Sequence, residues 1–576
     1  MRSRWSRGKA PRFAALVVFA MVLAACGTGA TTTTSGTATT STTLTTTSTT
    51  TPGGSSSTTT QAPPAAPTGV VSTYITEPKS LTTLDDNESE GIAVLDALYT
   101  PLITYDPKTS KPAPGVAESI KSTDGGTTWV IKLKPGWTFH DGTPVTAQSF
   151  VDAWNYGAYG PNAQKNAGFF AEIAGYDAVN PASGTPTAKT LSGLVVDNDL
   201  QFTVTLSQPE TFFSEKLGYP AYAPLPEAFF KDPKAFNEAP IGNGPFMMDG
   251  TWNHDVAIKV KAYPNYAGAK KAQIAGIEFR IYADVNTAVS DLEAGNLDIV
   301  DAVPPERWAE VKKQVPNYDQ SPSSGINYIG FPMYDPALGG AANKNLRAAL
   351  SMAIDRKAIT DKIFNGTRAP AGDLLSPVIP GHQDTVCDNW TYNPTKAKEL
   401  FDAAGGWTGT LNVWFNEGAA HQAWIEAVTN QWVNNLGIPA DSIKFQQLPW
   451  AQYLQKLDGA KVDGPFRLGW GMDYPHPQDY LELILAGWMK PEMGGANDTF
   501  FDNADFNAAL KKALAESDLQ TAIPLYQAAD KIACENVPLT PIFYGQNQYA
   551  WNSPVSGVYV DAFANLVYTD LTKSSK

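Results

Sequence analysis

Cysteine, histidine and long apolar runs are all scarce in this sequence. Three of its 576 residues are Cys and five are His. Those histidines, His140, His254, His382, His421 and His476, form no pair at metal-ligand spacing, and neither an H-E-x-x-H nor a G-x-S-x-G signature occurs. A metal site and a hydrolase therefore lack sequence support. The apolar run 13–25 is 13 residues long, too short to span a bilayer. Basic residues are also outnumbered: 42 Lys and Arg face 57 Asp and Glu, a net charge of −15. With no Lys/Arg stripe to offset that balance, the chain repels phosphate backbones, and no nucleic-acid partner is expected.

What is present is globular and loop-rich: 43% apolar residues, 17% charged, 47 Gly and 43 Pro. The length exceeds what one hydrophobic core usually serves, which predicts two or three lobes. Basic residues 1–12 followed by the apolar run read as a secretory signal. The next stretch, Leu23-Ala24-Ala25-Cys26-Gly27, resembles the bacterial lipobox. That resemblance implies a signal peptide over 1–26, a lipidated Cys26, and anchoring to the outer face of the cytoplasmic membrane. Loss of five basic residues with this segment takes the net charge to −20. Residues 27–66 are a predicted disordered tether, because 24 of the 30 residues from 31 to 60 are Ser or Thr and nothing there can build a core. As a flexible coil of roughly 40 residues it spans about 35 Å. Only Cys387 and Cys534 remain for disulfide chemistry; in an oxidising exterior they can form one bridge or stay as two buried thiols.

Along the remainder, strand and helix signals alternate. Trp129, Ile131 and Leu133 alternate with polar residues as in a half-buried strand, and Thr146 is placed to cap a helix carrying Phe150, Val151 and Trp154. Pro240–Phe246, PIGNGPF, is a tight turn; without a strand running directly into a helix it is not a nucleotide loop. Ile277, Phe279 and Ile281 form a strand, Asp284 caps a helix that ends at Gly295, and LDIVDAV follows as a second strand. Strand, helix and strand make a crossover unit of an α/β sheet. Residues 325–331 read as a strand. Leu346, Leu350, Ile354, Ile359 and Ile363 fit one amphipathic helix stopped by Gly366. Helices over about 394–404 and 420–436 flank the strand LNVWFN, and the segment from Pro538 to Val560 is extended.

Several of these blocks resemble one family. WVIKLKPGWTFHDGTPVTAQSFVDAW is similar to the signature of the extracytoplasmic solute-binding proteins of the peptide and nickel class (family 5), which serve ATP-driven importers. LRAALSMAIDRKAI and the turn before Phe246 match further blocks of that family. The resemblance covers roughly residues 70–570. It implies an α/β, two-lobed periplasmic-binding-protein fold of type II with an extra subdomain. Lobe I then covers 67–325 with an insertion at about 110–225, lobe II covers 326–540, and 541–576 return to lobe I. It further implies a monomer that is not an enzyme, needs no cofactor or metal, closes on its ligand, and partners a membrane permease with its ATPases. His140 and Asp141 are then a structural turn, and Arg347 and Asp355 are packing or surface charges.

The site expectation centres on Arg467–Leu483. Arg467-Leu468-Gly469-Trp470-Gly471-Met472-Asp473-Tyr474 is similar to the R-x-G-W-x-x-D-Y block of oligopeptide-binding relatives. By that resemblance Asp473 pairs with a peptide α-ammonium and Arg467 meets a peptide carboxylate. Trp470 and Tyr474 are candidate pocket residues, and Gly244 a candidate residue of the cleft wall. Pro475-His476-Pro477 departs from the family's usual Asp-Pro pair. A peptide's two ends are common to every sequence, so a receptor indifferent to side chains must fix those ends with charge-assisted bonds. The same scaffold also accommodates oligosaccharides, nickel complexes and other small solutes.

Overall fold

A computed structural model describes residues 67–574, apart from 123, 418–420 and 494. The expected signal segment, Cys26 and the tether lie outside the described residues. Among the described residues no helix is long and apolar enough to cross a membrane.

One sheet of 11 strands runs through the molecule. At its centre two long strands, Asn317–Gly330 and Leu539–Trp551, pair antiparallel. On one side the sheet continues through Ile299–Val300, Val70–Ile75, Gly276–Ile281, Ala257–Ala262 and Phe246–Met248; on the other it continues through Phe466–Trp470, Leu411–Asn416 and Ile443–Leu448. The two halves belong to the two expected lobes, built on one α/β sheet. The predicted crossover unit lies in the first half: Asp284 Oδ1 accepts the Asn286 N–H at 2.7 Å, starting the helix Val285–Glu293. The strands on either side of that helix both run parallel to Val70–Ile75, which lies between them.

A separate four-stranded antiparallel sheet, Ala117–Ser122, Thr128–Leu133, Gln201–Thr205 and Leu194–Asn198 in spatial order, falls within the expected insertion. Helix Ala147–Ala158 covers it, with Phe150 stacked on Phe202 at 5.7 Å and Trp154 edge-on to Phe202 at 5.5 Å. In lobe II, strand alternation feeds two cores on opposite sheet faces. Phe466, Leu468 and Leu539 enter one, and Val413, Phe415 and Ile542 enter the other. A disulfide joins Cys387 to Cys534 with a Cα separation of 6.1 Å, tying a loop to the last helix, Leu519–Asn536.

The single helix expected over 346–363 is instead two, Lys344–Met352 and Arg356–Lys362. Asp355 is the reason: its carboxylate accepts the Ala358 N–H at 2.9 Å and starts a new helix. Arg347 is fully buried and donates to the carbonyls of Leu338, Gly340, Asn536 and Val537.

The pairing of the two long strands slips register between Pro322 and Ile326. Residues before the slip face the lobe I half, whereas Ile326–Gly330 pair with Phe466–Trp470 of lobe II. Opposite the slip stands Gly545, where a Cβ would lie 2.3 Å from Ser323 Oγ. A side chain at 545 would have to displace the Ser323 hydroxyl.

Candidate ligand-binding cavity

A cavity of about 630 Å³ opens at this register slip. Its floor is Ser323–Gly325 and Gly545–Asn547, one wall is Arg467–Asp473 of lobe II, and the other wall includes Asp96, Tyr99 and Tyr219 of lobe I.

Arg467 leaves the strand Phe466–Trp470 on the same side as Gly469 and Gly471, so its side chain meets little bulk along its own strand. It is 8% exposed. Its guanidinium donates to Asn416 Oδ1 at 2.9 Å and Asn327 Oδ1 at 2.6 Å, while its Nε finds no partner. No carboxylate pairs with it among the described residues, and burial pulls its pKa down to about 10. Burial, and then the charge of Arg467, lowers the pKa of the neighbouring His421 to about 3.

Asp473 follows the strand end and is also 8% exposed. Its Oδ2 has no hydrogen-bond partner. Burial pushes its pKa up to about 7, opposed by the charge of Lys216. Behind it, Asp479 Oδ2 accepts the Asp473 N–H at 3.0 Å and the Trp470 indole N–H at 3.3 Å. Burial, then the charge of Asp473, raises Asp479 well above the carboxylate range. Through its Oδ2, Asp479 at the first turn of helix Gln478–Leu485 thus positions both Trp470 and Asp473. Trp470 lines the cavity with part of its ring and otherwise packs in lobe II.

Two expected site residues are placed elsewhere. Tyr474 points away from the cavity: its ring stacks on Phe212 at 6.3 Å and its hydroxyl donates to Gln478 Oε1. Once the chain turns after Asp473, the next side chain faces the opposite direction. Gly244 is not a cavity residue either. Its N–H donates to Leu98 O at 2.7 Å, and a Cβ there would lie 2.4 Å from the Leu98 carbonyl carbon. The turn therefore seals the C-terminal end of helix Ser89–Leu98, whose outer face is cavity wall. His140 locks the same turn: Nδ1 accepts the Gly242 N–H at 3.0 Å, and burial drops its pKa to about 4. His140 is thus a neutral structural acceptor.

The lobe I wall was not singled out from the sequence. One signal was available: Asp96 is the lone carboxylate after Glu90 in the apolar stretch GIAVLDALY.

Among the described residues no group of three or more His, Cys, Asp or Glu is placed to hold a metal ion. On its lobe II wall the cavity has Arg467, whose Nε is unbonded, and Asp473, whose Oδ2 is unbonded.

Sheet, crossings and cavity define a two-lobed solute-binding protein. The sequence profile of the bacterial extracellular solute-binding proteins, family 5, matches residues 111–490, and the chain belongs to that family. The oligopeptide-binding protein OppA of Bacillus subtilis (strain 168) is 25% identical over 575 residues, 97% of each chain. The periplasmic murein peptide-binding protein MppA of Escherichia coli (strain K12) is 27% identical over 484 residues, 82% of this chain and 86% of the relative. A solved structure of MppA, the unliganded open form, has the same fold, with a TM-score of 0.78 at 24% identity over 88% of this chain and 98% of that one.

Proposed function

We propose that this chain is an extracytoplasmic receptor that captures oligopeptides in the cavity between its lobes and delivers them to an ABC importer. The observation that carries the reading is the pair of unmatched charges on one wall. A zwitterion supplies what each lacks: an α-ammonium for Asp473 Oδ2 and a carboxylate for the Arg467 guanidinium. In a water-poor cleft such charge-assisted bonds are strong. The cavity of about 630 Å³ leaves room for varied side chains, which hydrating water can fill. The relatives named above carry names for oligopeptides and murein peptides, which agrees with this chemistry. Closure about the register slip would complete the site from the lobe I side, and lipidation of Cys26 would hold the receptor at the membrane surface.

Calorimetry with mixed tri- to pentapeptides and with cello-oligosaccharides tests the ligand class. Peptides are expected to give heat. Heat from the sugars alone would sink the peptide reading, and the aromatic residues of the cavity, Trp450, Trp470 and Tyr99 among them, would then serve sugar faces. Asp473→Ala is expected to weaken peptide binding at least a hundredfold, because the ammonium loses its counter-charge; unchanged affinity means the anchor lies elsewhere.

A further inference from the structure

Two peptide ends do not account for the wall that lobe I turns toward the cavity. Helix Ser89–Leu98 carries Ile92 and Asp96 on this wall, and Tyr99 follows just past the helix end; spacings of four and three share one helical face. Asp96 is open to solvent through the cavity although protein surrounds it, and the Asn565 amide donates to its Oδ2. Asp561 lines the cavity beside it, with Oδ1 accepting the N–H groups of Phe563 at 2.9 Å and Asn565 at 3.0 Å. The charge of Asp561 bears on Asp96, and burial pushes Asp561 up to about 7. No lysine or arginine among the described residues offsets either charge. Tyr99, only 5% exposed, lines the same cavity, and its buried hydroxyl has no hydrogen-bond partner. Tyr105 and Phe563, with ring centroids 5.3 Å apart, line the cavity as well.

We propose that Asp96 and Asp561, with the Tyr99 hydroxyl, form a subsite for a basic side chain of the bound peptide, so that the receptor favours peptides carrying Arg or Lys. The inference rests on the peptide reading and names the class of peptide. A guanidinium or ammonium arriving here holds both carboxylates ionised and forms charge-assisted bonds to them. Its aliphatic stem lies along the Tyr105 and Phe563 rings, where alkyl groups and cations are both accommodated. Asp96 and Asp473 line one cavity of about 630 Å³, which places the subsite and the ammonium anchor within reach of one short peptide.

The test is calorimetry on the whole exported chain with pentaalanine scanned by arginine and by citrulline, its uncharged isostere. At one position arginine is expected to bind at least tenfold tighter than citrulline, and in Asp96→Asn that ratio is expected to fall to within threefold of one. Peptides that bind wild type with arginine and citrulline equal at every position overturn the subsite and leave peptide capture standing. No heat from any peptide overturns both. A tenfold ratio that survives in folded Asp96→Asn overturns the assignment to Asp96. The wild-type comparison decides the matter even if that variant fails to fold.

Discussion

Lys216 and Arg467 are both buried cations, and the protein treats them in opposite ways. Lys216 is 5% exposed and ion-paired with Glu172 at 2.7 Å and with Glu210. The attraction of the two glutamates outweighs burial and raises its pKa. It also sits 5.0 Å above the Phe212 ring, away from the cavity wall. Arg467 has only two neutral amides and keeps a donor unpaired at the cavity. Arg347 shows that a buried arginine without a carboxylate is not in itself a site, since carbonyl oxygens take its donors. A buried charge that the fold has already neutralised is architecture. One left with an open valence beside a cavity is, in the proposed function, where a ligand would complete the structure.

The largest effect that can break this comparison is on stability. Lys216→Met strands Glu172 and Glu210 in the interior and is expected to cost about 3–5 kcal/mol, read from urea melts; a loss below about 1 kcal/mol would show that the triad is not structural. Arg467→Met strands only amides and is expected to cost about 1–2 kcal/mol. In the same variant peptide affinity should fall ten- to hundredfold, and a carboxyl-terminal amide should no longer bind more weakly than the free acid. A stability loss as large as that of Lys216→Met would erase the distinction.

The acidic partner sharpens it through pH. In the empty protein Asp473 has a pKa near 7, so below that value an arriving ammonium must first displace a proton. Affinity is expected to fall by up to tenfold per pH unit on going below about pH 7, and Asp473→Asn should flatten that profile. For folding the sign is reversed. A carboxyl raised above its unfolded value of about 3.9 contributes stability that is present below that pH and lost as pH rises through 7. Unliganded wild type is therefore expected to lose stability between pH 4 and pH 7 more steeply than Asp473→Asn, in thermal melts at matched ionic strength. The smallest effect concerns Tyr474: Tyr474→Phe removes one hydroxyl bond to Gln478 and is expected to cost about 1 kcal/mol. Peptide affinity should stay within twofold, because the ring lies outside the cavity.

Much of the fold was legible because its signals are local. Alternation located the strands around Ile131 and Phe279, and Thr146 and Asp284 announced their helices. Hydrophobic spacing misjudged 346–363, since the pattern of Leu346, Leu350, Ile354, Ile359 and Ile363 continues across the break that the Asp355 side chain makes. Within the site, Arg467 and Asp473 stood out because two charges flank glycines in a run of aromatics. Asp479 and Lys216 did not, since their importance comes from neighbours far away in sequence. For Gly244 the family resemblance implies a wall position, whereas a glycine turn by itself reports only that something approaches closely; here the close neighbour is the Leu98 carbonyl.

In the proposed closure about the register slip at Ser323–Gly325, the cavity floor coincides with the pivot between the lobes. Mechanics then ranks the ligand contacts by leverage. A hydrogen bond to the floor acts almost on the axis and exerts little torque, however strong it is. A contact that spans from Asp473 on one wall to Asp96 on the other acts at the full radius of the cavity. The receptor can therefore hold many molecules on its floor, but only one long enough to pull on both walls does work on the hinge.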